Sequence, residues 1–217
     1  MRGWAWLLDR DGVRIAGFAS VWALVKFGLF TLDHMIGLNQ GMGLFSTTYL
    51  ADPFFIGVIY LVALRDDGSA PGDVLQEAGQ RYPALLMLTL LSGIGIGLGT
   101  LMLILPGIAL AILWSIAMPV MLAEQKGPIE ALSASFDYVR NHFWPVFGVY
   151  FLYVAGVILF SLIFIFSGLS SETGAPGLGL VLDSVIDTAM TVLGIFLGAA
   201  IFRELAFTGR HDVNVFD

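Results

Sequence analysis

The sequence contains no cysteine in its 217 residues, and only three histidines, which lie far apart. Disulfide bonds, thiolate metal sites and cysteine nucleophiles are therefore excluded. Zinc sites are built from clustered cysteine, histidine and acidic side chains, so these scattered histidines do not predict one. We expect neither a metal ion nor a cofactor.

Charged residues are also scarce. They make up 12% of the chain, while 58% of its residues are hydrophobic and the mean hydropathy is +0.87. Soluble domains contain about 25% charged residues, so this chain cannot cover its surface with polar groups. We predict an integral membrane protein. Nucleic acid is not an expected partner, because the net charge is −7 and the basic residues do not form a cluster.

Six apolar runs come close to the roughly 20 residues that a helix needs to cross a bilayer. The sequence therefore predicts an all-α, polytopic membrane protein with six transmembrane helices in a single domain, residues 1–217. The six predicted helices span residues 15–38, 48–64, 84–105, 107–123, 146–169 and 178–202.

The basic residues predict the orientation of these helices. With six crossings, nine of the ten lysines and arginines fall on the side of the two termini, and the tenth, Lys26, lies inside the first helix. Basic residues accumulate on the cytoplasmic side of membrane proteins. We therefore expect a multi-pass protein of the bacterial inner (cytoplasmic) membrane with both termini in the cytoplasm.

Two cytoplasmic loops, residues 71–82 and 128–143, have the pattern of amphipathic helices. Each begins with a proline and has an acidic residue two positions later, as is common in the first turn of a helix. We predict that both lie in the membrane interface. The similar order of helix, loop and helix suggests an internal pseudo-repeat. The second loop carries the clearer apolar stripe, followed by an interfacial tryptophan: Ile129, Leu132, Phe136, Val139, Phe143 and Trp144.

Small residues indicate where the helices pack. Helix–helix contacts in membranes favour glycines four residues apart, because these let two backbones approach closely. The third predicted helix has two such faces, one with Gly93 and Gly97 and the other with Gly95 and Gly99. We expect most of these glycines to pack within the chain. In the fourth helix, a kink is expected at Pro119.

The segment 105–148, about a fifth of the chain, resembles a known membrane family. It is similar to the membrane domain attached to some bacterial glycerophosphoryl diester phosphodiesterases, and to related stand-alone six-helix inner-membrane proteins. The residues that carry this resemblance are Leu105, Pro106, Gly107, Trp114, Met118, Pro119, Val120, Gly127, Glu130, Ala131, Leu132, Ser135, Arg140, Phe143, Trp144, Val146, Phe147 and Gly148.

The sequence departs from that family in two ways. Ser133 and Ala134 stand where those proteins often have basic residues. In addition, the catalytic carboxylates, histidines and metal ligands of a phosphodiesterase domain have no counterpart here. The resemblance therefore implies the membrane architecture, and it does not imply the enzymatic activity.

Six ionisable residues fall inside or at the ends of the predicted helices. Such residues are costly in a membrane and are functional candidates for that reason. We expect an ion pair between Lys26 and Asp187. It could simply lock the first helix to the sixth, or it could form a proton- or cation-responsive site. The remaining alternative is that Lys26 extends to the membrane interface or that Asp183 lies in water. The intramembrane candidates are Lys26, Asp33, His34, Asp52, Asp183 and Asp187.

The sequence favours a protein that is not an enzyme, because no nucleophile motif, phosphate-binding loop or convergent polar site is evident. We expect it to organise the membrane, contact lipid or act as a subunit of a larger assembly. Its expected partners are membrane lipids, together with a protein partner or further copies of itself. The alternative is a small transporter or channel for a cation, a proton-coupled solute or a lipid.

Overall fold

A computed structural model describes residues 12–35, 47–64, 70–167 and 176–213. Helices joined by short turns make up nearly all of this part of the chain, and it contains no strand, which confirms the all-α prediction. In chain order the helices are α1 (Gly12–Met35), α2 (Thr48–Leu64), α3 (Pro71–Met102), α4 (Ile104–Leu113), α5 (Ala117–Glu124), α6 (Pro128–Arg140), α7 (Phe143–Phe166) and α8 (Pro176–Val213).

Five segments are long and apolar enough to cross a membrane: Gly12–Asp33, Pro71–Met102, Ile104–Glu124, Phe143–Phe166 and Val181–Ala206. α2 is apolar but has only 17 residues. At 1.5 Å per residue it is about 26 Å long, somewhat less than the roughly 30 Å hydrocarbon core. These lengths and compositions indicate a membrane protein with five segments able to span a bilayer.

The separate interfacial helix predicted at residues 71–82 is not formed. α3 runs without interruption from Pro71 to Met102 and includes Pro83. A proline inside a helix removes one backbone hydrogen bond, a cost that packing on both sides can offset. Here Val74 and Ala78 before the proline and Leu85 after it are all buried in the same core. That shared packing explains why the helix continues.

The fourth predicted helix, residues 107–123, is divided into α4 and α5. Between them the backbone hydrogen bonds span three residues and not four. The backbone N–H of Ser115 donates to the Ile112 carbonyl at 3.2 Å, and that of Ala117 donates to the Trp114 carbonyl at 3.1 Å. Pro119 contributes to this break because it has no N–H to bond the carbonyl of Ser115. The effect of the proline is therefore larger than the expected kink, and it falls one turn earlier.

α6 is a separate helix, as predicted, but it ends at Arg140 and not at residue 143. Pro128 occupies its first turn, and the carboxylate of Glu130 accepts a hydrogen bond from the Gly127 N–H at 3.2 Å. The chain turns at residues 141–142, and Phe143 already begins α7. The α2–α3 unit thus lacks the break that separates α6 from α7, so the two units of the suspected pseudo-repeat differ in this connection.

The core lies where α2 and α5 meet the other helices. Residues 57–63 of α2 and 119–122 of α5 are all buried. α1 packs against α2 and α8, and α3 packs against α2 and α4. α7 stands at the edge of the bundle, since Val146 is its one buried residue. An apolar helix with so little protein around it must be covered by lipid or by another protein.

Glycines allow α3 and α4 to approach most closely. A Cβ at Gly99 would lie 3.1 Å from Cα of Gly107, and a Cβ at Gly95 would collide with the ring of Trp114. By contrast, a Cβ at Gly93 or Gly97 would meet nothing within 4 Å. The two predicted glycine faces therefore differ: one packs within the chain, and the other faces outward.

Candidate functional sites

Lys26 lies on α1 and is almost completely buried, with 1% of its surface exposed. Its ammonium donates a hydrogen bond to Oδ2 of Asp187 on α8, which confirms the predicted ion pair. A second carboxylate, Oδ1 of Asp52 on α2, lies 3.5 Å from the same Nζ. The sequence had placed Asp52 only among the candidates, so the three-residue site depends on how α2 packs. We call Lys26, Asp52 and Asp187 the lysine centre.

Trp22 also contacts Lys26, and it was not predicted to belong to this site. Its ring is fully buried, and the Lys26 ammonium lies 4.8 Å from the ring centroid. Phe55 of α2 stacks on Trp22, with the ring centroids 4.3 Å apart. Trp22 precedes Lys26 by one helical turn. That spacing was the signal in the sequence that could have linked them.

The two carboxylates of the lysine centre differ in their exposure. The Asp187 side chain is 52% exposed, whereas the Asp52 side chain is 25% exposed and the Lys26 side chain 2%. One cation therefore faces two carboxylates, which gives a formal charge of −1 when all three groups are ionised. A net charge within the span of a membrane helix is unfavourable unless another positive charge compensates for it.

The other intramembrane candidates do not join the lysine centre in the same way. Asp33 is fully buried at the far end of α1, where it accepts hydrogen bonds from the Thr47 backbone N–H at 3.1 Å and from the Thr47 hydroxyl at 3.0 Å. Asp183 is partly exposed, one turn before Asp187 on α8. The side chain of His34 lies outside the described residues.

The face of α8 that carries Asp187 is half exposed at that residue and points into the bundle farther along the helix. Gly194 lies against the hydroxyl of Tyr153, and Gly198 lies against the hydroxyl of Tyr60. The Tyr153 hydroxyl donates to the Met190 carbonyl at 2.7 Å. This face therefore combines a half-exposed carboxylate with closely packed glycines.

The apolar stripe predicted on α6 is partly buried in the bundle and partly exposed. Leu132 and Val139 are buried, but Ile129 is 64% exposed and Phe136 39% exposed. The buried face also includes Ser135, which sequence analysis had not identified as a core residue. The centre of the buried face is thus rotated away from the predicted stripe.

Ser135 connects α6 to the break between α4 and α5. Its hydroxyl donates a hydrogen bond to the carbonyl of Leu113 at 2.7 Å. Leu113 is the last residue of α4, and its carbonyl has lost its usual helical partner because Ala117 bonds to Trp114 instead. In the sequence this contact is marked only by a serine within an amphipathic helix, which does not identify the acceptor.

An open groove of about 450 Å³ lies between α3, α4 and α6. Its walls are apolar except for Ser133, and Trp114 lies at its α4 side. The predicted stripe residues that point outward, Ile129 and Phe136, form its rim. The groove is lined by Leu91, Ile94, Gly95, Trp114, Ile129, Leu132, Ser133 and Phe136.

Phe143 and Trp144 lie at the start of α7, beyond α6. Phe143 stacks on Phe147, which stacks in turn on Phe151, with ring centroids 6.1 and 5.9 Å apart. Trp144 is 75% exposed and meets Phe143 edge-on. A row of aromatic rings ending in an exposed tryptophan is typical of a helix end at a membrane interface.

Lys126, in the turn before α6, compensates the acidic end of α5. Its Nζ lies 2.7 Å from Oε2 of Glu124, while Oε1 of Glu124 accepts a hydrogen bond from the Tyr138 hydroxyl at 2.8 Å. The hydrogen bond to Glu124 raises the pKa of Lys126. Both carboxylate oxygens are thus occupied, and this cluster serves the α5–α6 turn.

The described residues contain no group of three or more histidine, aspartate or glutamate side chains arranged to hold a metal ion. Comparison of the chain with protein-family models, curated proteins and solved structures gives no match. The geometry of the lysine centre and of the groove is therefore the basis for proposing a function.

Proposed function

We propose that the chain is a non-enzymatic, lipid-binding protein of the bacterial inner membrane, in which the groove between α3, α4 and α6 holds one acyl chain of a membrane phospholipid. The observation that carries this proposal is the groove itself. It is apolar and open, and its volume lies within the range of about 300–1,000 Å³ that is usual for small-ligand sites.

The surroundings of the groove favour lipid as its occupant. α3 exposes Leu90, Ile94 and Leu98 beside it, and this helix is apolar enough to cross a membrane. A groove that opens on such a surface faces acyl chains. An acyl chain bound in the groove would therefore remain in contact with the apolar interior of the bilayer. Ser133 supplies the one polar side chain, which suits a contact with an ester or headgroup oxygen.

We further propose six spans, with α2 as the short one, and both termini in the cytoplasm. The distribution of lysine and arginine supports this orientation. In this arrangement α6 lies on the cytoplasmic side, so a bound phospholipid would belong to the inner leaflet. The exposed surface of α7 suits contact with lipids, with a protein partner or with a second copy of the chain, and nucleic acid is not a proposed partner.

The lipid proposal is tested by filling the groove. Ser133→Trp places a large ring inside it, and Asp137→Trp adds the same ring to an exposed position of α6 that does not line it. Native mass spectrometry of the detergent-purified proteins should detect co-purified phospholipid with the wild type and Asp137→Trp, and much less with Ser133→Trp. Equal lipid retention by all three would contradict the proposal.

A second candidate function, a small transporter or channel for a cation, a proton-coupled solute or a lipid, is supported by the lysine centre and by the break between α4 and α5. Transporters often combine interrupted helices with ionisable groups inside the membrane. Flux into proteoliposomes that depends on Lys26 would favour this function. Lipid binding without such flux would favour the first.

A further inference from the structure

The lysine centre has one positive and two negative groups, so it lacks one positive charge. A carboxylate without a counter-charge in an apolar environment is avoided by binding a cation or by taking up a proton. A metal ion is a poor fit, because the Lys26 ammonium already lies between the carboxylates and would repel it. The described residues also offer no group of three metal-ligating side chains there. A proton fits the charge balance without needing further ligands.

Asp52 is better suited than Asp187 to hold this proton. Asp187 accepts the hydrogen bond from Lys26 and is half exposed. Asp52 is less exposed, and its Oδ1 has no hydrogen-bond partner among the described residues although Lys26 lies 3.5 Å away. Of two carboxyl groups that share one ammonium, the one that is more buried and lies farther from the ammonium takes up a proton more readily.

Trp22 provides a second, independent feature of the same site. Its indole N–H is buried and has no hydrogen-bond partner in the described part of the chain. Its ring stacks on Phe55, which lies one turn after Asp52 on α2. Water can supply a partner to each of these two atoms, and water is a usual carrier for protons between buried groups.

We propose that Asp52 binds an exchangeable proton and that Lys26 moves between Asp187 and Asp52 as this proton returns and leaves. When Asp52 is neutral, Lys26 pairs with Asp187. When Asp52 releases its proton to water, its new negative charge draws the ammonium toward α2 and weakens the contact with α8. In each cycle one proton leaves Asp52 for water and one returns to it, and no bond to carbon changes.

The charged and titratable groups around Asp52 are few. On α1 and α8 the groups that interact with it electrostatically are Lys26 and Asp187. On α8, Asp183 lies one turn before Asp187, and on α1, Asp33 lies two turns after Lys26 and is bonded to Thr47. Among the groups at other positions on neighbouring helices, Tyr153 of α7 interacts with Asp187, Tyr82 of α3 donates to the Leu50 carbonyl at 2.7 Å, and Arg203 of α8 donates to the Ala63 carbonyl at 2.8 Å.

The proton site lies apart from the groove and does not depend on lipid binding. It would give the second candidate function a coupling site, but it can exist in a protein that transports nothing. In either case the expected property is the same: a single carboxyl group that titrates inside the helix bundle and changes the position of Lys26.

The test is infrared difference spectroscopy of the full chain in phospholipid vesicles, titrated from about pH 6 to pH 10, a range in which ordinary aspartates and glutamates are already ionised. The wild type should show the C=O band of a protonated carboxyl group that disappears as the pH rises. Asp52→Asn should lose this titrating band, and Asp52→Glu should restore it at a shifted position.

Asp33→Asn is the matched control, because Asp33 is also a buried aspartate but is bonded to Thr47 and not to Lys26. It should retain the band. A band that persists in Asp52→Asn, or the absence of any titrating band in the wild type, would overturn the proposal. Loss of the band in Asp187→Asn together with its persistence in Asp52→Asn would place the proton on Asp187 and overturn the assignment to Asp52.

Asparagine has nearly the same shape as a neutral aspartic acid, so Asp52→Asn should fold. Thermal unfolding provides a second measurement that does not rely on the band. The unfolding temperature of the wild type should vary with pH, and that of Asp52→Asn should vary less. An identical pH dependence in both proteins would contradict the proposal.

Discussion

Lys26 carries a positive charge, although only 1% of its surface is exposed to solvent. Two aspartates from different helices and the face of Trp22 stabilise that charge together. Removing all acidic partners of a buried charge is costly, because the remaining charge is left without compensation. The lysine centre therefore connects α1, α2 and α8 through one side chain.

This arrangement predicts non-additive effects of substitution. Asp52→Asn or Asp187→Asn alone leaves Lys26 one carboxylate, so each should lower the free energy of unfolding only modestly. The double variant leaves the ammonium unpaired and should be destabilised by about 3 kcal/mol. Denaturant unfolding in detergent measures these differences.

Adding Lys26→Met to the double variant should recover most of the lost stability, since the unpaired charge is then gone. If the double variant were no less stable than the sum of the two single variants predicts, the idea that both carboxylates share Lys26 would be wrong.

Ser135 stabilises the break between α4 and α5 through one hydrogen bond, to the carbonyl of Leu113. Ser135→Ala removes the hydrogen bond to Leu113 and should lower the free energy of unfolding by about 1–3 kcal/mol, the cost of leaving a buried polar group without a partner. Ser133→Ala on the exposed side of the same helix should change it by about 0.5 kcal/mol or less. Equal effects of the two substitutions in thermal unfolding would argue against a role for Ser135 at the α4–α5 break.

At the level of the helices, small residues decide which elements meet. α3 and α4 come together through Gly95, Gly99 and Gly107, and α8 meets its neighbours through Gly194 and Gly198. Association of helices in lipid depends on such close contact, because lipid tails are as apolar as the helix surfaces. The stability of each helix pair should thus depend on particular glycines.

Gly107→Ala tests this dependence. The added Cβ would approach the backbone nitrogen of Thr100 to 2.7 Å and its Cα to 2.8 Å, and backbone atoms cannot move aside cheaply. We expect a loss of about 1–3 kcal/mol in the free energy of unfolding, as is usual for overpacking.

Gly97→Ala is the matched control on α3, since its Cβ would meet nothing within 4 Å. It should be neutral or should stabilise the protein by up to about 1 kcal/mol, because alanine favours the helix more than glycine does. A destabilising effect of Gly97→Ala as large as that of Gly107→Ala would indicate that the outward glycine face also packs against something.

The positions of helices were easier to predict than their ends and breaks. Apolar length located α2 correctly at residues 48–64, and proline correctly marked the start of α6. The fusion of residues 71–82 with the following span was missed because Pro83 is a strong local signal for a boundary. Its effect is offset by burial of the residues on both sides, which the local sequence does not reveal.

At the scale of the whole molecule, the proposed orientation can be tested directly. The chain has no cysteine, so a single introduced cysteine gives an unambiguous label. Ser171→Cys should react with a membrane-impermeant maleimide in intact bacteria, because it lies in a loop predicted to face outward. Lys126→Cys should react only after the membrane is opened. The reverse pattern would invert the topology.

Sequence alone determined that the chain belongs in a membrane, that it is helical, and that Lys26 requires a compensating charge. These conclusions follow from composition and from the cost of charge in an apolar medium, and both are properties of single residues or short runs. The pairing of Lys26 with Asp187 could be predicted because each is among the few charges within its helix.

Only the tertiary structure showed that Asp52 and Trp22 join that pair, that Ser135 caps a broken helix, and that α3, α4 and α6 enclose a groove. Each of these features depends on the rotation of one helix against another. That rotation is decided by the close contact of particular side chains and glycines, and a difference of one residue in register would bring other groups together.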